Sequence, residues 1–358
     1  MKKLTWLVLV LSFVLVAAGC GSKAGNSGSN ESSGAGGKEG QNASTNANAD
    51  NSKKTFKIAI SQIVEHASLD ATRQGFLDAL KDAGIVEGDN LKVDYNNAQD
   101  DPNNNLSIAQ KIAGDKDNDL VFAIATPSAT AVASKVEDTP VLFAAVTDPV
   151  DAKLVDNLDK PGANITGAAD FNPEATVKLM DFIAANFPNI KSVGVVINTG
   201  EANAVVMAKK AEEALAKHDI KLVQAAITNT SEVQQAAESL ADRVDAYYVT
   251  LDNKVVSGVD AILKVAQDKK KPFFSADRDT VEKGAFATVG FKYYDHGYQA
   301  GQMAVEILKD GKKPADMKVS FPDKLDLILN LKAAELYGIE VTDAMKQEVK
   351  DPEQNLLQ

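Results

Sequence analysis

The sequence predicts an α/β protein built from two lobes, each containing a parallel sheet flanked by helices. Short apolar runs alternate with helical patterns through residues 55–342, and such runs are typical of parallel strands buried on both faces. The same order of elements occurs twice, at an offset of about 130 residues. The chain has 358 residues, of which 44% are hydrophobic and 25% charged, which is enough for two separate cores.

The N-terminal segment is typical of export. Two lysines precede the apolar run Leu4–Ala18, which is too short to predict a transmembrane helix, so residues 1–19 are predicted to be a signal peptide. Cys20, the one cysteine of the chain, follows directly, and Val16–Cys20 resembles a bacterial lipobox, in which the thiol is lipidated after cleavage. Ala17 departs from that pattern, which most often has Leu there, and an ordinary signal peptide with an incidental cysteine is the alternative.

A flexible tether is predicted to follow the cysteine. Residues 20–53 are mostly Gly, Ser, Asn and Ala with no apolar period. Such a segment behaves as a coil with an end-to-end distance on the order of 30 Å. It is long enough to hold a folded unit clear of a membrane surface.

The first lobe is predicted to have the order βαβαβαβ. Apolar runs predict four strands, at Phe56–Ser61, Leu91–Asn96, Leu120–Ala125 and directly after Pro140. Helical periodicity predicts a helix over Ser68–Gly84, a second through Ile108 and Ile112, and a third beginning at Thr126. Residues 164–171 break this pattern, which indicates a crossover to the next lobe.

The second lobe repeats this order before the chain crosses back. Its predicted strands are Ser192–Ile197, Lys221–Ile227, Asp245–Thr250 and Pro272–Ala276, and its helices are Ala202–Lys217, one led by Ser231, and one before Pro272. A return strand Ala285–Phe291, a helix Tyr294–Lys309, short strands Val319–Phe321 and Leu325–Leu329, a helix Leu331–Tyr337 and a polar tail (351–358) follow. We expect crossovers near Gly167, Val289 and Val319, with residues 54–167 and 289–318 forming lobe 1 and residues 168–288 and 319–350 forming lobe 2.

Two consecutive strand ends carry the main functional signal. The third strand stops at Thr126-Pro127-Ser128 and the fourth at Thr147-Asp148-Pro149. Thr126 and Asp148 are suited to cap helices, and each precedes a proline, which is favoured at the first helical position. Ligands bind at the carboxyl ends of parallel strands, so both ends are predicted to face a binding cleft. The alternative is that both residues are only caps.

The composition argues against several classes of function. The formal net charge of -12 disfavours a nucleic-acid partner, because phosphate binding requires clustered Lys and Arg. A single Cys permits no intrachain disulfide, and three scattered His residues lack metal-ligand spacing, so we expect no metal and no cofactor. The sequence has no Gly-x-Ser-x-Gly elbow and no phosphate-binding loop with Lys. We therefore predict a binding protein, with acid-base catalysis by aspartates as the alternative.

The motifs TPSA, VTDPV, PGANITGAAD, NTGEAN and LDN, together with the lipobox, resemble the ABC-transporter substrate-binding lipoproteins of tryptophan/tyrosine type. The resemblance runs from about residue 55 to 342. It implies a type I periplasmic-binding fold, in which two Rossmann-like lobes joined by a three-strand hinge close on a small ligand. It also implies a monomer on the extracytoplasmic face of the cell membrane, lipid-anchored through Cys20 and serving an ABC permease and its ATPase.

The resemblance implies a set of cleft residues by position. They are Gln62, His66, Thr126, Pro127, Ser128, Thr147, Asp148, Asn198, Glu201, Asn203, Asp252, Asn253 and Asp277. Phe171 is expected to add an aromatic side chain, whereas Tyr247 and Tyr248 lie within a predicted strand and are interpreted as core residues. His66 fits a ligand contact and a surface histidine equally well.

The predicted ligand is an amino acid, aromatic in type, held by its zwitterion. Backbone amides at 126–128 suit a carboxylate, and Asp148, Asp252 or Asp277 suits an ammonium group, with Asp277 favoured over Asp252. A different solute, such as a nucleoside or a sugar, is one alternative. A surface-anchored sensor or adhesin is the other.

Overall fold

A computed structural model describes residues 54–322 and 324–358. The predicted signal peptide, Cys20 and the predicted tether lie outside these residues. No helix in the described ranges is long and apolar enough to cross a membrane.

The first lobe contains five strands that form one parallel sheet. The strands are β1 (Phe56–Gln62), β2 (Leu91–Asn97), β3 (Leu120–Ile124), β4 (Val141–Val146) and β5 (Ile165–Ala169), in the order β2-β1-β3-β4-β5. Its helices are α1 (Ala67–Asp82), α2 (Pro102–Gly114) and α3 (Thr126–Ala133). Apolar side chains on both faces of this sheet are buried, as the continuous apolar runs predict.

The second lobe contains a seven-stranded sheet. Its strands are β6 (Ser192–Asn198), β7 (Lys221–Ile227), β8 (Ala246–Val249), β9 (Phe273–Ser275), β10 (Ala287–Gly290), β11 (Asp326–Asn330) and β12 (Leu356–Leu357), in the order β12-β11-β10-β9-β8-β6-β7. β10 and β11 pair antiparallel, whereas the other pairs are parallel. The α/β architecture with two sheets is confirmed, and the second sheet is mixed rather than wholly parallel.

The remaining helices cover the second sheet, with one exception. They are α4 (Pro173–Asn186), α5 (Ala202–Ala216), α6 (Val233–Leu240), α7 (Asn253–Ser257), α8 (Val259–Asp268), α9 (Arg278–Lys283), α10 (Tyr293–Asp310), α11 (Leu331–Tyr337), α12 (Asp343–Gln347) and α13 (Pro352–Asn355), with 3-10 turns at Thr230–Glu232 and Pro314–Asp316. The exception is α10, which packs against α1 and the first sheet. Its amphipathic pattern buries Ala300, Met303, Ala304 and Ile307.

The chain passes between the lobes three times. It leaves the first sheet after Ala169, returns after Gly290, and enters the second sheet again before Asp326. In the third crossing, Ser320 donates to the Gly167 carbonyl and accepts from the Ala169 amide, both at 2.9 Å. The predicted strand Val319–Phe321 is thus a single bridge. The exact lobe boundaries stay a prediction.

Two segments differ from their predicted structure. No helix begins at Pro149; instead, the Asp148 side chain accepts from the amides of Val150 and Asp151 at 3.0 Å and closes a turn. Lys153, with a φ of 56°, is in the left-handed region and ends that turn. The residues predicted as a polar tail form α13 and β12, because Arg278 binds the Asn355 side chain at 2.6 Å and thereby holds β12 on the sheet.

Candidate functional site

The two lobes meet where the strands of their sheets end. His66 Nε2 lies 3.3 Å from Asn253 Oδ1, and the Ser68 hydroxyl donates to Asp277 Oδ1 at 3.1 Å. Lys254 forms an ion pair with Asp100, also between the lobes. These contacts hold the lobes in a closed arrangement around a small cavity.

The cavity, called the head cavity below, lies at this junction of the two lobes. Both lobes contribute to its lining, which consists of His66, Ser68, Leu69, Ala145, Thr147, Asp170, Asn203, Leu251, Asn253, Val256, Asp277 and Tyr293. A molecule bound there therefore contacts both lobes.

Three buried polar atoms of the lining residues have no hydrogen-bond partner among the described residues. They are His66 Nδ1, Asp170 Oδ1 and Asn203 Oδ1. Leaving such an atom unsatisfied costs about 1–3 kcal/mol, so three around one cavity indicate that a ligand completes them. The hydrogen bonds made by the other polar atom of each side chain show whether the unpartnered atom is a donor or an acceptor.

Glu201 fixes the orientation of two of these side chains. Its Oε1 accepts from the Asn203 side chain at 3.0 Å, from the Asn253 amide at 3.1 Å, and from the Asn253 side chain. The Asn203 nitrogen also donates to the Leu251 carbonyl at 2.8 Å, so Oδ1 is the atom left over. Burial raises the pKa of Glu201, but these three donors favour its ionised form.

The same network defines the state of His66. Because the Asn253 nitrogen donates to Glu201, Asn253 Oδ1 faces His66 and accepts from Nε2. Burial lowers the pKa of His66, so the neutral ring leaves Nδ1 as an acceptor. All three unpartnered atoms are therefore acceptors.

Asp170 follows β5 at the first crossing between the lobes and is 5% exposed. Its Oδ2 accepts from the Tyr293 hydroxyl at 2.8 Å, whereas Oδ1 lacks a partner among the described residues. Burial raises the pKa of Asp170 to about 6, although the hydrogen bond from Tyr293 and the nearby Thr147 favour the ionised form. At neutral pH Asp170 places a negative charge beside the cavity.

Asp277 is the second carboxylate that lines the cavity, but both of its oxygens are engaged. Oδ1 accepts from the Thr280 amide at 2.8 Å, which caps α9, and from Ser68. Oδ2 accepts from the Ser275 hydroxyl at 2.9 Å. It contributes charge to the cavity while it caps α9 and links the lobes.

The N-terminus of α1 also faces the cavity. This helix has 16 residues, and none of the side chains that the structure describes caps its first turn. Ser68 and Leu69, which lie in that turn, line the cavity. Free first-turn amides together with the helix dipole favour an anionic group.

A β-bulge brings backbone from β4 to the cavity. The register of β4 with β5 shifts between Phe143 and Val146, and Ala145 has a φ of 54°. The Ala145 amide donates to His296 Nε2 at 3.2 Å. Burial lowers the pKa of His296 to about 4, so this nitrogen accepts at neutral pH and holds the strained residue in place.

The structure brings five of the predicted cleft residues to the cavity lining and places the others nearby. His66, Thr147, Asn203, Asn253 and Asp277 line the cavity. The remaining predicted residues contact other protein groups, and their contribution to binding stays a prediction. They are Gln62, Thr126, Pro127, Ser128, Asp148, Asn198, Glu201 and Asp252.

Asp252 shows why a buried carboxylate need not face the ligand. It accepts from the Asn198 amide at 2.6 Å and from the Val255 amide at 3.1 Å, and it thereby caps α7. Burial and the neighbouring charge of Glu201 raise the pKa of Asp252 to about 8. Asp252 therefore stabilises the second-lobe side of the site without lining the cavity.

Sequence reasoning missed several lining residues, including Ser68, Asp170 and Tyr293. Asp170 ends the segment GAAD, and a carboxylate directly after an apolar strand was the available signal. It was overlooked because that segment was interpreted as a crossover rather than a strand end. Within residues 54–322 and 324–358, no group of three His, Cys, Asp or Glu side chains is placed to hold a metal ion.

A family model described as ABC transporter substrate binding protein matches residues 57–351. The chain belongs to the ABC transporter substrate-binding protein family. This confirms the family indicated by the sequence motifs, and members of this family are binding proteins rather than enzymes. Proteins of this type act outside the cytoplasm with an ABC transporter.

Three relatives illustrate the similarity. The chain is 40% identical over 292 residues to the tyrosine-binding protein of Clostridioides difficile (strain R20291), covering 82% of this chain and 84% of the relative. A Streptococcus pneumonia ABC domain solved in complex with L-Trp is 32% identical, with a TM-score of 0.78 over 83% of this chain and 99% of that chain. These neighbours confirm the two-lobe fold.

The third relative informs on the arrangement of the lobes. It is the ligand-free, open structure of a substrate binding protein with adhesive properties from Clostridium difficile, 40% identical, with a TM-score of 0.62 over 85% of this chain and 98% of that chain. The L-Trp complex has lower identity but the higher TM-score. The overall structure of this chain is therefore more similar to the L-Trp complex than to the open structure.

Proposed function

We propose that the protein captures an amino acid outside the cell and delivers it to an ABC permease. The observation that carries this proposal is the set of three buried acceptors around the head cavity, His66 Nδ1, Asp170 Oδ1 and Asn203 Oδ1. An ammonium group offers three donors and a positive charge. It satisfies the acceptors and neutralises the charge of Asp170. A neutral sugar can donate hydrogen bonds to the acceptors, but it leaves that charge unneutralised.

The carboxylate of the same ligand is proposed to bind at the N-terminus of α1. Ser68 and Leu69 line the cavity, whereas Thr126, Pro127 and Ser128 at the start of α3 do not. We therefore prefer α1 over α3 for this role. Charge-assisted hydrogen bonds of this kind are the stronger ones and gain strength when closure excludes water.

An aromatic side chain is proposed from the relatives. A protein 40% identical to this chain is named as tyrosine-binding, and a structure 32% identical contains L-Trp. Asp277 stays a candidate partner of the ammonium group, second to Asp170, because both of its oxygens already accept hydrogen bonds.

The location of the protein is proposed from its N-terminal sequence. Residues 1–19 would be cleaved as a signal peptide, Cys20 would carry the lipid, and residues 20–53 would tether the binding unit. The protein would act as a monomer on the extracytoplasmic face and dock with the permease that is energised by its ATPase.

Titration calorimetry tests the ligand class. L-tyrosine, L-tryptophan and L-phenylalanine are compared with tyramine, which lacks the carboxylate, and with 3-(4-hydroxyphenyl)propionate, which lacks the ammonium group. We expect both analogues to bind more than tenfold more weakly than tyrosine, since each leaves one end of the site unpaired. Equal affinity for tyrosine and either analogue, or binding of only a nucleoside or sugar, would contradict the proposal.

A further inference from the structure

A second cavity lies in the second lobe beside the head cavity. It lies against α4, the end of β8 and the end of β10. Asp170 and Leu251 line both cavities. The two spaces are therefore adjacent.

The lining of the second cavity differs in character from that of the first. Its walls are largely apolar and aromatic, and include Phe171, Leu179, Met207, Val289 and Phe291. Apolar walls of this kind favour the ring of an aromatic ligand. Phe171 is the residue for which the sequence predicted an aromatic contribution to the ligand site.

Tyr248 lines this cavity and carries a polar atom that lacks a partner among the described residues. Tyr248 is 1% exposed, and its hydroxyl has no hydrogen-bond partner among the described residues. Thr176 lies close enough to affect its pKa, which burial raises, but no hydrogen bond of ordinary geometry joins the two side chains. Tyr247, on the opposite face of the sheet, instead donates to the Ala237 carbonyl at 2.8 Å. A buried hydroxyl left free beside a cavity is suited to a polar group on a ligand.

We propose that the second cavity takes the aromatic side chain of the amino acid whose charged groups occupy the head cavity, and that Tyr248 recognises the polar atom of that ring. This inference rests on the proposed function. The Tyr248 hydroxyl donates and accepts, so it pairs with a phenol hydroxyl or with an indole N–H. Phenylalanine offers neither group and leaves the hydroxyl unsatisfied, which selects against it. The sequence placed Tyr248 in the core, and the structure adds that this residue lines the second cavity.

The test measures L-tyrosine and L-phenylalanine binding to the full chain and to Tyr248→Phe. We expect the affinity for tyrosine to fall about fivefold to tenfold, as for loss of one neutral hydrogen bond. The affinity for phenylalanine should stay the same or rise. Tyr247→Phe is the matched control, because it removes a hydroxyl that is bonded to backbone away from the cavity, and it should leave the ratio of the two affinities unchanged.

A second variant tests the occupant of the cavity independently of Tyr248. Ala175, which is half-buried and lines only the second cavity, is replaced by Leu to reduce the space for a ring. Binding of L-tryptophan should weaken more than tenfold while binding of L-alanine is unchanged.

The outcomes distinguish an error in the proposed function from an error in the assignment of the second cavity. If the unchanged protein binds no amino acid, the proposed function itself is wrong. If it binds tyrosine and phenylalanine but Tyr248→Phe alters both affinities equally, or Ala175→Leu leaves tryptophan binding unchanged, only the assignment of the second cavity is wrong.

Discussion

At the scale of single residues, Asp170 combines three properties that are not found together in the other acid lining the head cavity. It is buried, its position is fixed by the Tyr293 hydroxyl, and its Oδ1 has no partner in the part of the chain that the structure describes. Asp277 is equally buried, yet its oxygens are occupied by Ser68, Ser275 and Thr280. A free oxygen on a fixed carboxylate is what an incoming ammonium group requires.

The first prediction concerns pH. Burial raises the pKa of Asp170 to about 6 without ligand, and a bound ammonium group lowers this pKa by favouring the ionised form. Affinity for the amino acid should therefore be constant above about pH 6 and fall as pH decreases below it, by up to tenfold per pH unit. Calorimetry between pH 5 and pH 8 measures this dependence, over which the free amino acid remains a zwitterion.

Asp170→Asn provides the matching variant. It should bind about 2–5 kcal/mol more weakly at pH 7 and lose most of the dependence near pH 6. Asp268→Asn, which removes an exposed carboxylate paired with Lys264 at 3.2 Å, should keep the unchanged profile. An Asp170→Asn variant with full affinity would remove Asp170 from the site.

At the scale of elements, the packing of α1 on α10 positions the ligand-facing end of α1. Three glycines allow the two helices to approach closely, and an ideal Cβ on Gly297 would lie 1.9 Å from the Thr72 carbonyl oxygen. Gly75 lies on the other helix, α1, and an ideal Cβ on it would lie 2.0 Å from the Tyr294 carbonyl oxygen. Because these contacts are with backbone atoms, an added methyl group forces the helices apart.

The second prediction is that Gly297→Ala lowers the free energy of unfolding by about 1–3 kcal/mol or more. Urea unfolding followed by circular dichroism measures this change. Gly114→Ala is the control, since nothing lies within 4 Å of its ideal Cβ, and it should change stability by less than about 0.5 kcal/mol. Equal midpoints for the two variants would show that the helices are not in such close contact.

The sequence predicted the elements well where a local signal was strong. Continuous apolar runs identified the parallel strands, and Gly84 and Gly311 marked the ends of two helices. The cap signal at Asp148 predicted a helix that is not present at Pro149, because the same side-chain geometry closes a short turn as readily as it starts a helix. The terminal residues 352–357 lacked apolar periodicity, and their order depends on the distant Arg278.

The candidate site was predictable only in part. The family resemblance supplied a set of polar cleft residues, and five of them line the head cavity. Which carboxylate keeps a free oxygen depends on partners far away in sequence, such as Tyr293 for Asp170. The position of Tyr248 beside a cavity could not be predicted either, because a strand pattern does not reveal which buried side chain borders a cavity.

At the scale of the whole molecule, closure of the lobes depends on contacts across the cleft. The Lys254–Asp100 ion pair is well shielded, with side-chain exposures of 12% and 16%. Gln99 and Asp100 have φ values of 54° and 59°, so this ion pair also holds a strained loop in place. The pair stabilises the closed arrangement in addition to any contribution from the ligand.

The third prediction is that Lys254→Ala shifts the ligand-free protein towards an open arrangement. Small-angle X-ray scattering should show a larger radius of gyration for this variant, and saturating ligand should restore compaction. Lys264→Ala removes an exposed ion pair within α8 and should leave the radius unchanged. Identical radii for both variants without ligand would indicate that the pair does not favour closure.

The fourth prediction concerns attachment to the membrane. Cys20→Ala removes the proposed lipid site, so the variant should appear in the medium or remain as uncleaved precursor. Cell fractionation and the mass of the N-terminal peptide measure this outcome. Normal processing with unchanged membrane retention would contradict the proposal of a lipid anchor.

The cavity between the lobes is proposed to select an amino acid with an aromatic ring. The most direct test equilibrates the purified protein with an equimolar mixture of amino acids, nucleosides and sugars, removes unbound solute, and identifies the ligand released on denaturation by mass spectrometry. We predict release of tyrosine or tryptophan at close to one equivalent per chain. Release of a sugar or nucleoside in place of an amino acid would contradict the claim.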